Sequence, residues 1–135
     1  MRHLFLLMLP AILLVACFEE TGLSESDQIL QDAFNNQTSN LQVEGQGEVI
    51  VLLQDDLVGT RHQKFIVELD SAQTLLISHN IDLAPRIYGL SVNDNVSFYG
   101  EYEWNVEGGV VHWTHIDPYG VHIDGWIKHD GQTYQ

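Results

Sequence analysis

Apolar and polar residues run along this chain in two rhythms, and the rhythm changes near residue 40. Before that point Ile29, Leu30, Ala33 and Phe34 recur at helical spacing, the period that lays one apolar stripe along a helix. Ser24, followed three residues later by Asp27, is a helix-start signal, and the polar stretch from Asn35 to Asn40 is a stop. One helix over about 25–36 is predicted, in a 24–40 segment of helix and linker. Beyond it the period shortens to two, in runs 47–54, 62–69, 74–79, 95–104, 109–115 and 122–134. Turn signals separate the runs, Glu107-Gly108-Gly109 and Asp130-Gly131 being the clearest. Five to six antiparallel strands, with an irregular segment Asn80–Leu90 between the third and fourth, fit a small, partly open OB-like β-barrel over 41–135. A β-sandwich is the alternative.

Ahead of the helix stands a pattern of another kind. Arg2 and His3 precede an apolar run from Leu4 to Ala16, interrupted by Pro10 and ending Leu14-Val15-Ala16-Cys17. A basic start, a dozen apolar residues and small residues before a cysteine describe a secretory signal over 1–16, and the stretch is too short for a span of about 20 residues. Because Cys17 is the only cysteine in the chain, it is the expected lipid-attachment site of a bacterial lipoprotein, with 17–23 as a short tether. Two or more acyl chains give durable attachment. Phe18, in place of an aspartate after the cysteine, favours the outer membrane and its periplasmic face.

Processing at Cys17 leaves 119 residues, the size of one domain. They carry 19 acidic side chains against 4 basic ones (Arg61, Lys64, Arg86 and Lys128), a formal charge of −15. A field of that sign repels phosphate backbones, so nucleic acid is not an expected partner. With no second cysteine, stability rests on the apolar core or on a bound metal.

Candidate chemistry gathers near the C-terminus. His112, His115, His122 and His129 fall close together, with Asp117, Asp124 and Asp130 between them. Imidazole and carboxylate suit a divalent transition metal such as zinc, and His112, His115, Asp117 and His122 are the candidate ligands. The competing reading of each histidine is a hydrogen-bonded or solvent-facing side chain. On an uninterrupted strand His112 and His115 point to opposite faces, so they share an ion only if the strand ends near Thr114. His122 could reach one of them across the Asp117-Pro118-Tyr119-Gly120 turn. Glu101 and Glu103 share one strand face with Tyr99, opposite Phe98, Tyr102 and Trp104, and a hairpin through Gly108-Gly109 would bring them near His112. His79, Arg86, Glu101, Glu103 and Trp113 make up a candidate binding rim, with Arg86 expected in an ion pair, Asp82 being the nearest partner in sequence. No Gly-x-Ser-x-Gly elbow, His-Glu-x-x-His helix or phosphate-cradling glycine loop is present.

Five strings in one order carry a family resemblance: Arg61–Phe65, His79–Ile87, Tyr99–Asn105, Gly109–His115 and Gly125–Ile127. Over about residues 44–135 the chain resembles the bacterial domain of unknown function 3465 family. The resemblance implies a small extracytoplasmic domain and brings no established activity. Where the family pattern has a second histidine directly after the position of His115, and a basic residue near Val121, this chain has Ile116 and Val121. Two functional readings follow. The first is a non-enzymatic module of the cell envelope that binds a small ligand, a metal or an envelope protein. The alternative is a metal-dependent hydrolase, of phosphodiesterase or nuclease type, using the C-terminal His/Asp cluster.

Overall fold

The computed structural model describes residues 22–135. The signal run, Cys17 and the tether through residue 21 lie outside the described residues. Those described form one helix, α1 (Glu25–Asn35), and seven strands: β1 (Leu41–Leu52), β2 (His62–Glu68), β3 (Thr74–Asn80), β4 (Asn95–Glu103), β5 (Val110–His112), β6 (Trp126–His129) and β7 (Gln132–Tyr134). The Ser24 hydroxyl accepts a hydrogen bond from the Asp27 backbone N–H at 3.1 Å, so α1 starts at the predicted cap.

Period-two alternation decides what each strand puts inside. Gln63, Phe65 and Val67 of β2, Leu75, Ile77 and His79 of β3, and Val96, Phe98 and Tyr102 of β4 are all buried. β1 pairs antiparallel with β4 from Leu41 to Glu48 and, past an irregularity between Val49 and Val51, continues along β2 to Leu52. β2 and β3 form an antiparallel hairpin pair, and β5 closes the circle between β3 and β4. The result is the OB-like barrel, not the sandwich. Two features go beyond the expected set of five to six antiparallel strands. β5 runs parallel to β3, and the 122–134 run divides at Asp130-Gly131, both with positive φ, into a β6–β7 hairpin appended to the barrel.

One barrel end is plugged by α1, whose Leu30 and Ala33 enter the core. The Asp27 carboxylate accepts from the Ser71 N–H, and the Trp104 indole N–H donates to the Phe34 carbonyl at 3.0 Å. The other end is covered by the 81–94 loop, held by polar residues at inward strand positions. The Gln63 side chain both donates to and accepts from the Ile87 backbone, at 3.0 and 2.9 Å. His79 donates from Nε2 to the Pro85 carbonyl at 2.9 Å, which leaves Nδ1 to accept from the Thr114 hydroxyl at 2.8 Å. Burial pushes the His79 imidazole down from 6.5 to about 4, so it is neutral where free histidine begins to charge.

The outer edge of β4 is shared. Glu101–Glu103 pair with β5 and Val96–Tyr99 with β6, and Gly100 marks the changeover. Between β5 and β6 the chain leaves the sheet as the 113–125 loop. A Cβ on Gly100 would stand 2.3 Å from the His112 carbonyl oxygen, and one on Gly125 2.0 Å from that of Trp113. Both glycines form the neck through which the loop departs and returns.

Two stability predictions follow from this packing. Gly100→Ala forces β5 away from β4 and should cost about 3 kcal/mol in denaturant unfolding; a variant of wild-type stability would contradict the tight neck. For His79, the unfolded chain binds a proton below about pH 6.5 and the folded chain only near pH 4. Stability is therefore full above pH 6.5 and falls as the pH drops towards 4, by a total on the order of 3 kcal/mol. In His79→Gln the melting temperature should be lower at neutral pH and the loss between pH 6.5 and 4 shallower; an unchanged slope would show that another group governs this range.

Candidate functional site

The register of β4 against β5 sets the site. Glu101 pairs with His112 and Glu103 with Val110, and alternation turns Glu101, Glu103 and His112 to the same outer face. His112 Nε2 lies 3.3 Å from Glu101 Oε2 and 3.5 Å from Glu103 Oε1. It is shielded from solvent and makes no hydrogen bond, so these contacts join two carboxylates to a nitrogen without an aligned donor between them. One ligand atom from each of the three residues lies within 4.8 Å of the others, the spacing that can hold a metal ion.

His122 approaches this group from the loop, on the Glu101 side. β5 ends at His112 because Trp113 adopts φ +56°, a left-handed conformation uncommon for a bulky residue. The loop that follows is organised by Asp117, whose carboxylate accepts from the backbone N–H groups of Tyr119, Val121 and His122 at 3.1, 2.9 and 2.7 Å. Those three donors, His122 foremost, hold the Asp117 carboxyl below the usual carboxylate range. Asp124 accepts in turn from the Asp117 N–H at 2.8 Å. So positioned, the His122 ring stacks on the Trp113 indole with centroids 3.9 Å apart and planes 9° from parallel. Its Nδ1 donates to the Ile123 carbonyl at 2.8 Å, which makes Nε2 the free nitrogen, 3.5 Å from Glu101 Oε1.

The candidate ligands of the sequence are thus redistributed. His112 and His122 both flank Glu101, whereas Asp117 spends both oxygens on loop N–H groups, and an acceptor so committed is a loop organiser. His115 is buried, its Nδ1 donating to the Ile116 carbonyl, and it stands outside the Glu101–Glu103–His112 group. The strand does end before Thr114, as sharing between His112 and His115 requires, but the chain then carries His115 beneath the Trp113 ring. His129 is fixed by Asp94 at 2.8 Å.

The candidate rim divides as well. Glu101, Glu103 and Trp113 belong to the site. His79 is a core residue tying the 81–94 loop to Thr114. Arg86 pairs with Asp55, not with Asp82, whose partner is Arg61 at 2.7 Å. The 81–94 loop bends back over the barrel end at Pro85 and Ile87, which presents the Arg86 guanidinium to the β1–β2 loop. What the sequence reading did not single out is His62, held through Nδ1 at 2.8 Å from the Thr60 carbonyl, and Asn80 at the end of β3.

No curated protein matches the chain. A family model described as "Protein of unknown function" matches residues 12–135, every described residue included, and the chain belongs to that family, DUF3465.

Proposed function

We propose that the protein is a non-enzymatic metal-binding module of the bacterial cell envelope, in which Glu101, Glu103, His112 and His122 hold one divalent transition ion, zinc first. The observation that carries this reading is the spacing of unpartnered donor atoms. Two ligands each about 2.1 Å from a tetrahedral ion stand about 3.4 Å apart, and the imidazole–carboxylate separations here are 3.3, 3.5 and 3.5 Å. Such distances are too long for good hydrogen bonds; the two made by His112 match edges of a coordination tetrahedron, and His122 faces the second oxygen of Glu101, from which it would complete the set. The His122 Nδ1–H bond to Ile123 adds the outer contact by which ligand histidines are usually oriented. Two carboxylates neutralise a divalent charge, and the mixed oxygen–nitrogen set suits zinc.

The setting is part of the same proposal. The signal run and Cys17 support a protein tethered by lipid to the outer membrane, facing the periplasm. The excess of acidic side chains favours metal cations over nucleic acid as partners. An envelope protein that delivers or receives the ion would be a further partner of such a module.

Zinc titration of the untagged full chain, prepared without chelators, tests the reading. One equivalent should bind, and His112→Ala or Glu101→Gln should weaken binding at least about 10-fold while leaving the β-sheet signal intact. Asp117→Ala should weaken it through loss of His122 positioning, and His129→Gln should not change it. Zinc affinity equal in wild type, His112→Ala and Glu101→Gln would overturn the assignment.

A further inference from the structure

The sheet face that carries the metal group extends one strand beyond it. Gln42 of β1 is the cross-strand partner of Glu101, as His112 is on the other side, so the three form one row across β1, β4 and β5. Side chains directly opposite each other have Cβ atoms about 4.5–5.5 Å apart. Among the described residues, Gln42 Nε2, Asp55 Oδ1, Gln73 Oε1 and His112 Nε2 are shut off from solvent without a hydrogen-bond partner. Asp55 accepts from Arg86 through its other oxygen, and Gln73 donates to the Gly108 carbonyl through its NH₂. The other two atoms fall in this one row, on either side of Glu101.

An enclosed NH₂ without an acceptor is costly, because the hydrogen bonds it makes to water in the unfolded chain are not replaced. Reversing the amide would enclose an oxygen in a row that already holds a carboxylate, so the NH₂ is the end the row favours. We infer that Gln42 is a positioning residue of the proposed metal site, its side-chain NH₂ donating to the Glu101 carboxylate when the ion is bound. This inference rests on the metal reading. Without the ion, the Glu101 carboxylate lies 3.3 Å from His112 and 3.5 Å from His122, and Gln42 is left unpaired. A carboxylate has about four lone-pair sites. Ligation fixes one of them on the ion, and a donor on the β1 side then sets how the carboxylate is turned. Gln42 therefore acts with opposite sign in the two states, weakening the metal-free fold and strengthening the metal-loaded one.

Gln42→Met, which keeps the shape and removes the donor, tests this in the full chain, with the exposed Gln46→Met on the same strand face as control. The melting temperature of the metal-free protein should not fall, and rises by up to about 4 °C. Zinc affinity should drop at least about 10-fold, and the visible spectrum of bound cobalt should change. In a Glu101→Ala background the same substitution should leave zinc affinity unchanged, because Gln42 acts through that carboxylate. Gln46→Met should match wild type in every measurement. A lower metal-free melting temperature in Gln42→Met would mark an ordinary structural glutamine. That result, zinc affinity equal in wild type and Gln42→Met, or the same loss in the Glu101→Ala background would overturn the role of Gln42 and leave the metal site standing. Absence of zinc binding by the wild type would overturn both.

Discussion

The backbone edge of β4 is the constraint from which most of this structure follows. A strand's N–H and C=O groups must be paired if they are to be buried, and β4 has β1 along one side for nearly its whole length. On the other side no single strand is available. β5 covers the C-terminal part and β6 the N-terminal part, and the chain between them leaves the sheet and returns at Gly125. That division of one edge closes the barrel, appends the β6–β7 hairpin and throws out the loop bearing Trp113 and His122. It also fixes the register that sets His112 against Glu101.

Much of the architecture was legible because the local signals agreed with one another. The Ser24 cap, the helical spacing of Leu30 and Ala33, the alternation in β2, β3 and β4 and the Asp130-Gly131 turn each pointed to the element observed. The parallel β3–β5 pairing was not legible, since two β5 residues, Val110 and Val111, carry it and their alternation is the same for either direction. The early end of β5 was equally hidden. It depends on a positive φ at Trp113, which no propensity would assign to that residue.

The site was half legible for a related reason. The placement of Glu101 and Glu103 on one strand face, opposite a hairpin partner bearing His112, follows from period two and one turn, and both are local. Which loop residues join them is set by long-range hydrogen bonding. Asp117 resembles a ligand by composition, yet three nearby N–H groups claim its carboxylate, and the same bonds swing His122 onto the indole. Arg86 shows the same limit: its nearest acidic neighbour in sequence is Asp82, but the folded loop brings it to Asp55. His79, a rim candidate by sequence, and Gln63 instead occupy inward strand positions, and their partners include the main-chain groups of a loop that covers the barrel end.

The neck formed by Gly100 and Gly125 separates the proposed site into two parts of different origin. Glu101, Glu103 and His112 sit on paired strands whose geometry the whole barrel enforces, while His122 comes from a segment closed on itself by Asp117 and by the Gly125–His115 backbone bond. Such a segment can lengthen, shorten or exchange its residues without disturbing the strands beneath it. The barrel thus acts as a fixed socket and the 113–125 loop as an interchangeable cartridge, so the outer wall of this candidate site could be rewritten within a dozen or so residues without rebuilding the fold.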